Sequence, residues 1–342
     1  MIRVLLAVMC LVLFAAPLQA GGLDDLKAAT EAAQNGKSDD AIRLFTQALA
    51  ASDLSPADQF AARMGRGSAF TAKSLIADAF ERLDQARGAR ADAIADFTAA
   101  LAIKADDAGL YVARAQVYDL NGQYDSAIAD FDAALKLNNS PITLVQRAAS
   151  QTAKGDYDRA VADYTAALDV VTKDAKDPKD AGLEASDIHS QRGYAQFIAA
   201  RYAAAAADFD KALTLGAAGR TGDVLWLPYQ AAWLHIARAR AGENDAEELA
   251  RNAGKMDLKQ WPGTLLAFFL GQAKADQLSP PSSHGAMGRG RECNLSFFTG
   301  EQALVNKDAA EATRLFQRAR AVCNIHTVHY LAAGVELNRL AK

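Results

Sequence analysis

The stretch GQYDSAIADFDAALKLN, residues 122–138, decides the fold because two similar stretches occur further along the chain. They are GDYDRAVADYTAALDV, residues 155–170, and ARYAAAAADFDKALTL, residues 200–215. In each, a tyrosine, an alanine, an aromatic residue and a second alanine follow one another at steps of three or four. This spacing places the four side chains on one face of a helix. The repeat therefore predicts a series of similar helices.

A second predicted helix precedes each of these helices and carries an arginine followed by a small residue. The pairs are Arg66 with Gly67, Arg114 with Ala115, and Arg192 with Gly193. A small side chain lets a neighbouring helix approach closely, so we expect two helices to cross at each of these small residues.

This helix–turn–helix pattern resembles the tetratricopeptide repeat, a unit of about 34 residues. The small residues of the second helices are Ala41, Ala93, Ala127, Ala160, Ala205 and Ala312. The resemblance covers most of the chain. It implies an all-α fold: a right-handed superhelical solenoid of about six to seven stacked antiparallel helix hairpins.

The first twenty residues predict a secretory signal peptide. Arg3 precedes an apolar run at residues 4–16, Pro17 ends that run, and Ala20 offers a cleavage site. An uncleaved membrane anchor is the alternative. Cys10 lies inside the apolar run and follows Met9, so no lipoprotein signal is predicted. We therefore expect a periplasmic or secreted protein whose mature chain does not span a membrane.

The rest of the chain is predicted to divide into five segments. Residues 21–172 hold repeat hairpins, including a lengthened hairpin near 60–104, where the surplus is close to four helical turns. A charged linker is expected at 173–184, further repeats and repeat-like hairpins at 185–278, a second linker at 279–290, and a final hairpin at 291–342.

The C-terminal part resembles the periplasmic NlpI-like family of tetratricopeptide repeat proteins. The matching residues are Trp261, Pro262, Gly263, Gly271, Phe298, Gly300 and Phe316. This resemblance implies an envelope adaptor that brings cell-wall hydrolases and proteases together. The missing lipoprotein signal departs from the family pattern and puts outer-membrane anchoring in doubt.

Two cysteines remain after the predicted signal peptide. Cys293 opens one predicted helix and Cys323 closes the next, and antiparallel helices bring such positions together. Since disulfides persist in exported proteins, we expect a disulfide between them, with two buried free thiols as the alternative.

Neither a catalytic site nor a cofactor or metal site is predicted. His326 and His329 share a helical face, but no carboxylate lies close in sequence, so they are interpreted as surface or interface histidines. The net charge of −4 and the lack of a basic run argue against nucleic-acid binding. We therefore expect a protein that is not an enzyme.

The expected binding site is the concave groove that the first helices of the hairpins line. Its predicted residues are Met64, Ser68, Thr71, Val112, Gln116, Asp119, Val145, Ala149, Thr152, Ser190, Tyr194 and Phe197. The set is neutral and partly apolar, which suits a helix or an extended segment with apolar anchors. The alternative is that several of these residues pack between helices.

The leading hypothesis is an exported, non-catalytic adaptor that binds other proteins, with envelope enzymes as suspected partners and a homodimer as a further expectation. A purely structural homo-oligomeric envelope scaffold is the first alternative. The second is a glycan-binding enzyme subunit, in which Trp226, Trp233 and Trp261 stack on sugars.

Overall fold

The computed structural model describes residues 21–174, 178–219, 226–278 and 286–342. The predicted signal peptide lies outside these ranges. Within them the chain forms 16 α-helices and one short 3-10 helix at Ala275–Gln277, and no β-strand. The predicted all-α fold is confirmed. Over the same ranges, every helix is too short or too polar to cross a membrane.

The helices divide between two compact units, Met1–Val117 and Tyr118–Lys342. The first unit holds α1 (Gly22–Gln34), α2 (Ser38–Ala50), α3 (Pro56–Ala79), α4 (Leu83–Ile103) and most of α5 (Ala108–Leu120). The second holds α6 (Tyr124–Leu137), α7 (Pro141–Lys154), α8 (Tyr157–Asp174), α9 (Pro178–Ile198), α10 (Tyr202–Gly219), α11 (Trp226–Ala241), α12 (Ala246–Ala253), α13 (Gly263–Phe269), α14 (Ala286–Val305), α15 (Ala309–Val322) and α16 (Val328–Leu340). Consecutive helices such as α3 and α4, or α9 and α10, pack against each other as hairpins.

Helices α3 and α4 are the long pair of the first unit. They have 24 and 21 residues, whereas α2 has 13. At a rise of 1.5 Å per residue, the difference between α3 and α2 is about 16 Å. The ammonium of Lys73 lies 2.7 Å from Asp39 at the start of α2, so the residues after Lys73 extend beyond α2.

Both predicted linkers are shorter than expected, and this corrects the boundaries at 173–184 and 279–290. Helix α9 begins at Pro178, inside the first linker, and α14 begins at Ala286, inside the second. Proline is well tolerated in the first turn of a helix, where its missing N–H has no intrahelical partner. Pro178 therefore starts a helix where we expected an exposed linker. The segment 291–342 also contains a third helix, α16, beyond the expected hairpin.

The small residue after the arginine is where a phenylalanine of the second helix meets the first helix. A Cβ atom added to any of three glycines would lie only 2.7 or 2.8 Å from a phenylalanine ring atom. The pairs are Gly67 with Phe97, Gly193 with Phe209, and Gly300 with Phe316. The close helix approach expected from the sequence is confirmed at Gly67 and Gly193. Gly300, which follows Thr299 and not an arginine, makes the same kind of contact.

The arginine before that small residue joins two successive hairpins. The Nε and Nη2 atoms of Arg192 in α9 donate to both carboxylate oxygens of Asp208 in α10, at 2.9 and 2.7 Å. Its Nη1 donates to the hydroxyl of Thr165 in α8, at 2.8 Å. One guanidinium therefore holds its own hairpin closed and fastens that hairpin to the preceding one. We call this arrangement the arginine clamp.

The arginine clamp recurs in both units with the same geometry. Arg147 donates two hydrogen bonds of 2.7 Å to Asp163 in its own hairpin and one of 2.5 Å to Asp132 in the preceding hairpin. In the first unit, Arg66 pairs with Asp96 at 2.7 Å and reaches Thr46 at 3.0 Å. The bidentate pair is the strong form of the arginine–carboxylate contact.

The predicted disulfide between Cys293 and Cys323 is present. It joins the α14 helix to the residue that follows α15, across a sequence separation of 30 residues. Both cysteines are buried. The bond therefore closes the hairpin formed by α14 and α15.

We expect Arg192→Met to lower the free energy of unfolding by about 3 kcal/mol, because it leaves the buried Asp208 carboxylate without its main partner. Burial raises the pKa of Asp208, but hydrogen bonds from His189 and Arg192 outweigh burial and hold that pKa below its ordinary value. Urea unfolding measures the change. The control is Arg318→Met, which removes a surface pair with Glu292 and should cost no more than about 1 kcal/mol. Equal losses in the two variants would contradict the structural role of the clamp.

We expect the double variant Cys293→Ala/Cys323→Ala to unfold about 3 kcal/mol more easily than the wild type, because the open chain gains conformational freedom when it is unfolded. Urea unfolding of the wild type with and without dithiothreitol provides the same comparison without mutation. A dithiothreitol-treated wild type with an unchanged midpoint, after thiol titration has shown complete reduction, would contradict this expectation.

Candidate functional site

The groove residues predicted in the first unit lie partly on the surface. Met64 and Ser68 of α3 and Gln116 of α5 are exposed, whereas Thr71 and Val112 are half-buried. The hydroxyls of Ser68 and Thr71 both donate to carbonyl oxygens one turn earlier in α3, at 2.9 Å. These two hydroxyls are therefore already satisfied within their own helix.

Three groove residues predicted in the second unit are part of the core, and the prediction is wrong for them. Thr152, Ser190 and Phe197 are 9%, 4% and 0% exposed. The hydroxyl of Thr152 donates to the carbonyl of Ala148 at 2.8 Å. The Phe197 ring packs 5.2 Å from the Trp233 ring. The repeat frame is the same as in α3, since Thr152 and Phe197 each follow a clamp-forming arginine by five residues, as Thr71 does. Neighbouring helices cover these positions in the second unit, as α11 does where Trp233 packs on Phe197.

Tyr194 also acts mainly as a contact between helices. Its ring lies 5.3 Å from the Phe209 ring and 4.9 Å from the Trp233 ring. Its hydroxyl accepts a hydrogen bond from Gln230 at 3.0 Å. Burial raises the pKa of Tyr194 to about 12. Only the remaining exposed edge of this residue is accessible to a partner.

A partly apolar row remains on the surface of α7. Ile142 is 62% exposed, Ala149 is exposed, and Val145 between them is half-buried. Their spacing of three and four residues places the three side chains on one face of the helix. The sequence reading included Val145 and Ala149 but missed Ile142, although Ile142 precedes Val145 by three residues.

Asp119 adds a polar group beside this row. The hydroxyl of Ser150, the residue after Ala149, donates to Asp119 Oδ2 at 2.7 Å. The buried Asp119 Oδ1 atom has no hydrogen-bond partner among the described residues. Burial raises the pKa of Asp119 to about 6, and the hydrogen bond from Ser150 opposes that shift. We call Ile142, Val145, Ala149 and Asp119 together the α7 surface.

The tryptophans do not form an exposed platform. Trp233 is 1% exposed, and its ring packs against Phe297, Phe298 and His329 at 5.0, 5.5 and 5.3 Å. Trp261 is half-buried and donates from Nε1 to the Tyr229 hydroxyl at 2.9 Å. A buried ring cannot stack on a sugar, so Trp233 is not available for the glycan-binding alternative.

A group of buried charges lies where α11, α14 and α16 meet. Glu301 and Glu336 are 0% and 3% exposed, and Arg240 pairs with both of them. Burial raises the pKa of Glu301, although the positive charge of Arg240 opposes that effect. These ion pairs connect helices. In the ranges that the structure describes, no three histidine, cysteine, aspartate or glutamate side chains form a metal-binding group.

Two segments of the chain match models of the tetratricopeptide repeat, at residues 26–91 and 108–141. None of the curated proteins matches the chain. A solved tetratricopeptide repeat protein from Parabacteroides merdae is 15% identical, with a TM-score of 0.54 over 93% of this chain and 99% of its own. The apo form of the quorum sensor NprR from B. thuringiensis is 13% identical, with a TM-score of 0.54 over 89% of this chain and 87% of its own.

A further similar structure is the apo form of RapI. It is 13% identical, with a TM-score of 0.52 over 88% of this chain and 97% of its own. At these identities the likeness shows the fold alone. The repeat itself is a scaffold on which proteins bind other proteins.

We expect His329 to make the stability of the protein sensitive to acid. Its Nε2 atom is buried without a hydrogen-bond partner among the described residues, and burial lowers its pKa from 6.5 to about 3. The folded state therefore keeps His329 neutral, whereas the unfolded chain takes up a proton below pH 6.5. This contribution to stability is complete above pH 6.5 and is lost as the pH falls toward 3.

Urea unfolding at pH 7.5 and pH 5 measures this effect. We expect the free energy of unfolding of the wild type to fall between pH 7.5 and pH 5. In His329→Phe this fall should be smaller by about 1 to 2 kcal/mol. The same loss in wild type and His329→Phe would show that other groups cause it.

Proposed function

We propose that this chain, which is a tetratricopeptide repeat protein, is a non-catalytic adaptor that binds other proteins through its α7 surface. The observation that carries the proposal is the exposed apolar row on α7. Ile142 is 62% exposed at the first turn of this helix, and Ala149 continues the same face. Apolar side chains at this spacing provide anchor points for a helix or an extended segment.

Export to the bacterial envelope is part of the proposal. It is supported by the signal-peptide pattern of residues 1–20 and by the disulfide between Cys293 and Cys323, a bond that persists outside the reducing cytosol. The resemblance of the segment around Trp261 and Gly263 to the NlpI-like family favours cell-wall hydrolases or proteases as the partners.

A homo-oligomeric scaffold remains the second candidate function. It is favoured by a different observation, a group of exposed apolar side chains at the end of the α3–α4 hairpin. The two functions use different surfaces, so separate variants can distinguish them.

The adaptor function is tested by crosslinking in cells followed by a tagged pulldown and mass spectrometry. We expect wall hydrolases or proteases to be recovered with the wild type and to be lost, at least tenfold, with Ile142→Glu/Ala149→Glu. Both positions are exposed, so the variant should fold normally. The control is Leu137→Glu, which places one negative charge on another exposed apolar residue of the second unit, 48% exposed.

Two results would contradict the proposal. Recovery of the same enzymes with the wild type and with Ile142→Glu/Ala149→Glu would show that the α7 surface does not bind them. Recovery of no envelope enzyme with the wild type would remove the adaptor role. N-terminal sequencing of the protein from the periplasmic fraction tests export separately, with cleavage after Ala20 as the expected result.

A further inference from the structure

The end of the α3–α4 hairpin, residues 74–88, concentrates exposed apolar side chains. Of the ten large hydrophobic residues exposed in the described structure, four lie within nine residues here. They are Leu75, Ile76, Phe80 and Leu83, with exposed fractions of 49%, 51%, 67% and 62%. An apolar group of this kind on a protein surface usually marks an interaction site.

The backbone of this hairpin end is well fixed. The turn between the helices places Glu81 at a φ of 59°, and the N–H of Arg82 donates to the carbonyl of Ala77 at 2.8 Å. The buried side chain of Arg90 in α4 pairs with Asp78 in α3. The backbone that carries Phe80 is therefore held in place, and the Arg82 guanidinium lies 5.4 Å from the centre of the Phe80 ring.

A pocket lies directly beside this apolar group. It has a volume of about 460 Å³ and is bounded by the turn between α1 and α2 on one side and by the hairpin end on the other. The lining residues used below are Lys37, Asp39, Lys73, Ile76, Ala77 and Arg82. Ile76 and Ala77 give it an apolar wall, and the volume is sufficient for an aromatic side chain.

A projecting side chain next to a pocket on the same surface is the arrangement that a symmetric dimer requires. In a two-fold contact each copy presents the same surface, so a projection of one copy must meet a pocket of the other. We propose that a second copy of this chain docks here, with the Phe80 side chain of each copy entering the pocket of the other.

The charges around the contact agree with self-association. Both signs of charge line the pocket, where Lys37 and Arg82 lie beside Asp39, and both signs occur at the hairpin end, where Asp84 pairs with Arg87. A surface that carries both signs can face a second copy of itself without net repulsion. The balance of both signs fits another copy better than an anionic lipid surface, which attracts surfaces rich in lysine and arginine.

This surface is separate from the α7 surface. It belongs to the first unit, whereas Ile142 and Asp119 belong to the second. Loss of the dimer therefore leaves the proposed adaptor function intact, and each proposal can fail without the other. The small size of the apolar group is typical of a weak dimer, with a Kd on the order of 10 to 100 μM.

Sedimentation equilibrium of the purified protein between 1 and 200 μM tests the proposal. We expect the wild type to pass from monomer to dimer in this range, and Phe80→Ser/Leu83→Ser to raise the dimer Kd at least tenfold. The control is Leu137→Ser/Ile325→Ser, which replaces two exposed apolar residues of the second unit, 48% and 59% exposed. Circular dichroism melting shows whether all variants remain folded.

A crosslinking experiment tests the geometry of the contact. We expect a Phe80→Cys chain mixed with a Lys37→Cys chain to form a disulfide-linked pair faster than the same Phe80→Cys chain mixed with Leu137→Cys. Equal rates would overturn the proposed insertion of Phe80 into the pocket. A wild type that stays monomeric at 200 μM would overturn the dimer, and Phe80-dependent binding of that monomer to phosphatidylcholine vesicles would assign the hairpin end to a membrane surface.

Discussion

The arginine clamp is the interaction on which the stack of hairpins depends. Apolar burial alone lets one hairpin slide against the next, because alanine-rich faces offer few large side chains that fix a register. The clamp removes this freedom, since the guanidinium of Arg192 must reach Asp208 in its own hairpin and Thr165 in the preceding one at the same time. Arg147 imposes the same condition on Asp163 and Asp132. The hairpins are therefore held in register by directional hydrogen bonds as well as by buried apolar surface.

The clamp also helps to determine which part of each first helix remains free to bind a partner. On α7, Arg147 is directed at the neighbouring second helices, and Thr152 faces the core. The face that remains exposed contains Ile142 and Ala149. This face is apolar because charged and hydroxyl groups of α7, such as Arg147 and Thr152, make their contacts inside the stack. An apolar face of this kind can bind a partner through shape and apolar contact.

The sequence predicted the fold more reliably than the site. Hairpin packing depends on short sequence patterns that recur many times along the chain. One example is the small residue of the first helix that makes room for Phe97 or Phe209 of the second. The disulfide followed from the antiparallel order of two helices. The groove also depends on contacts that each helix makes with distant parts of the chain, which a repeat pattern does not display. Phe197 was misplaced for this reason, because Trp233 of α11 packs against it. The clamp was missed because only the small residue after each arginine was interpreted, although an aspartate precedes the aromatic residue in several second helices, as at Asp96 and Asp163.

Helix α16 covers an apolar face of the hairpin formed by α14 and α15. In a stack of hairpins, each apolar face must be covered by a neighbouring repeat or by a capping element. Here α16 packs against α14 and α15 and also returns to α9, where Arg339 donates to the carbonyl of Ile198. Glu336 of the same helix pairs with Arg240 of α11. These contacts join α16 to residues more than ninety positions earlier. Helix α16 therefore ties the hairpin of α14 and α15 to α9 and α11, while the disulfide of α14 and α15 holds the surface on which α16 packs.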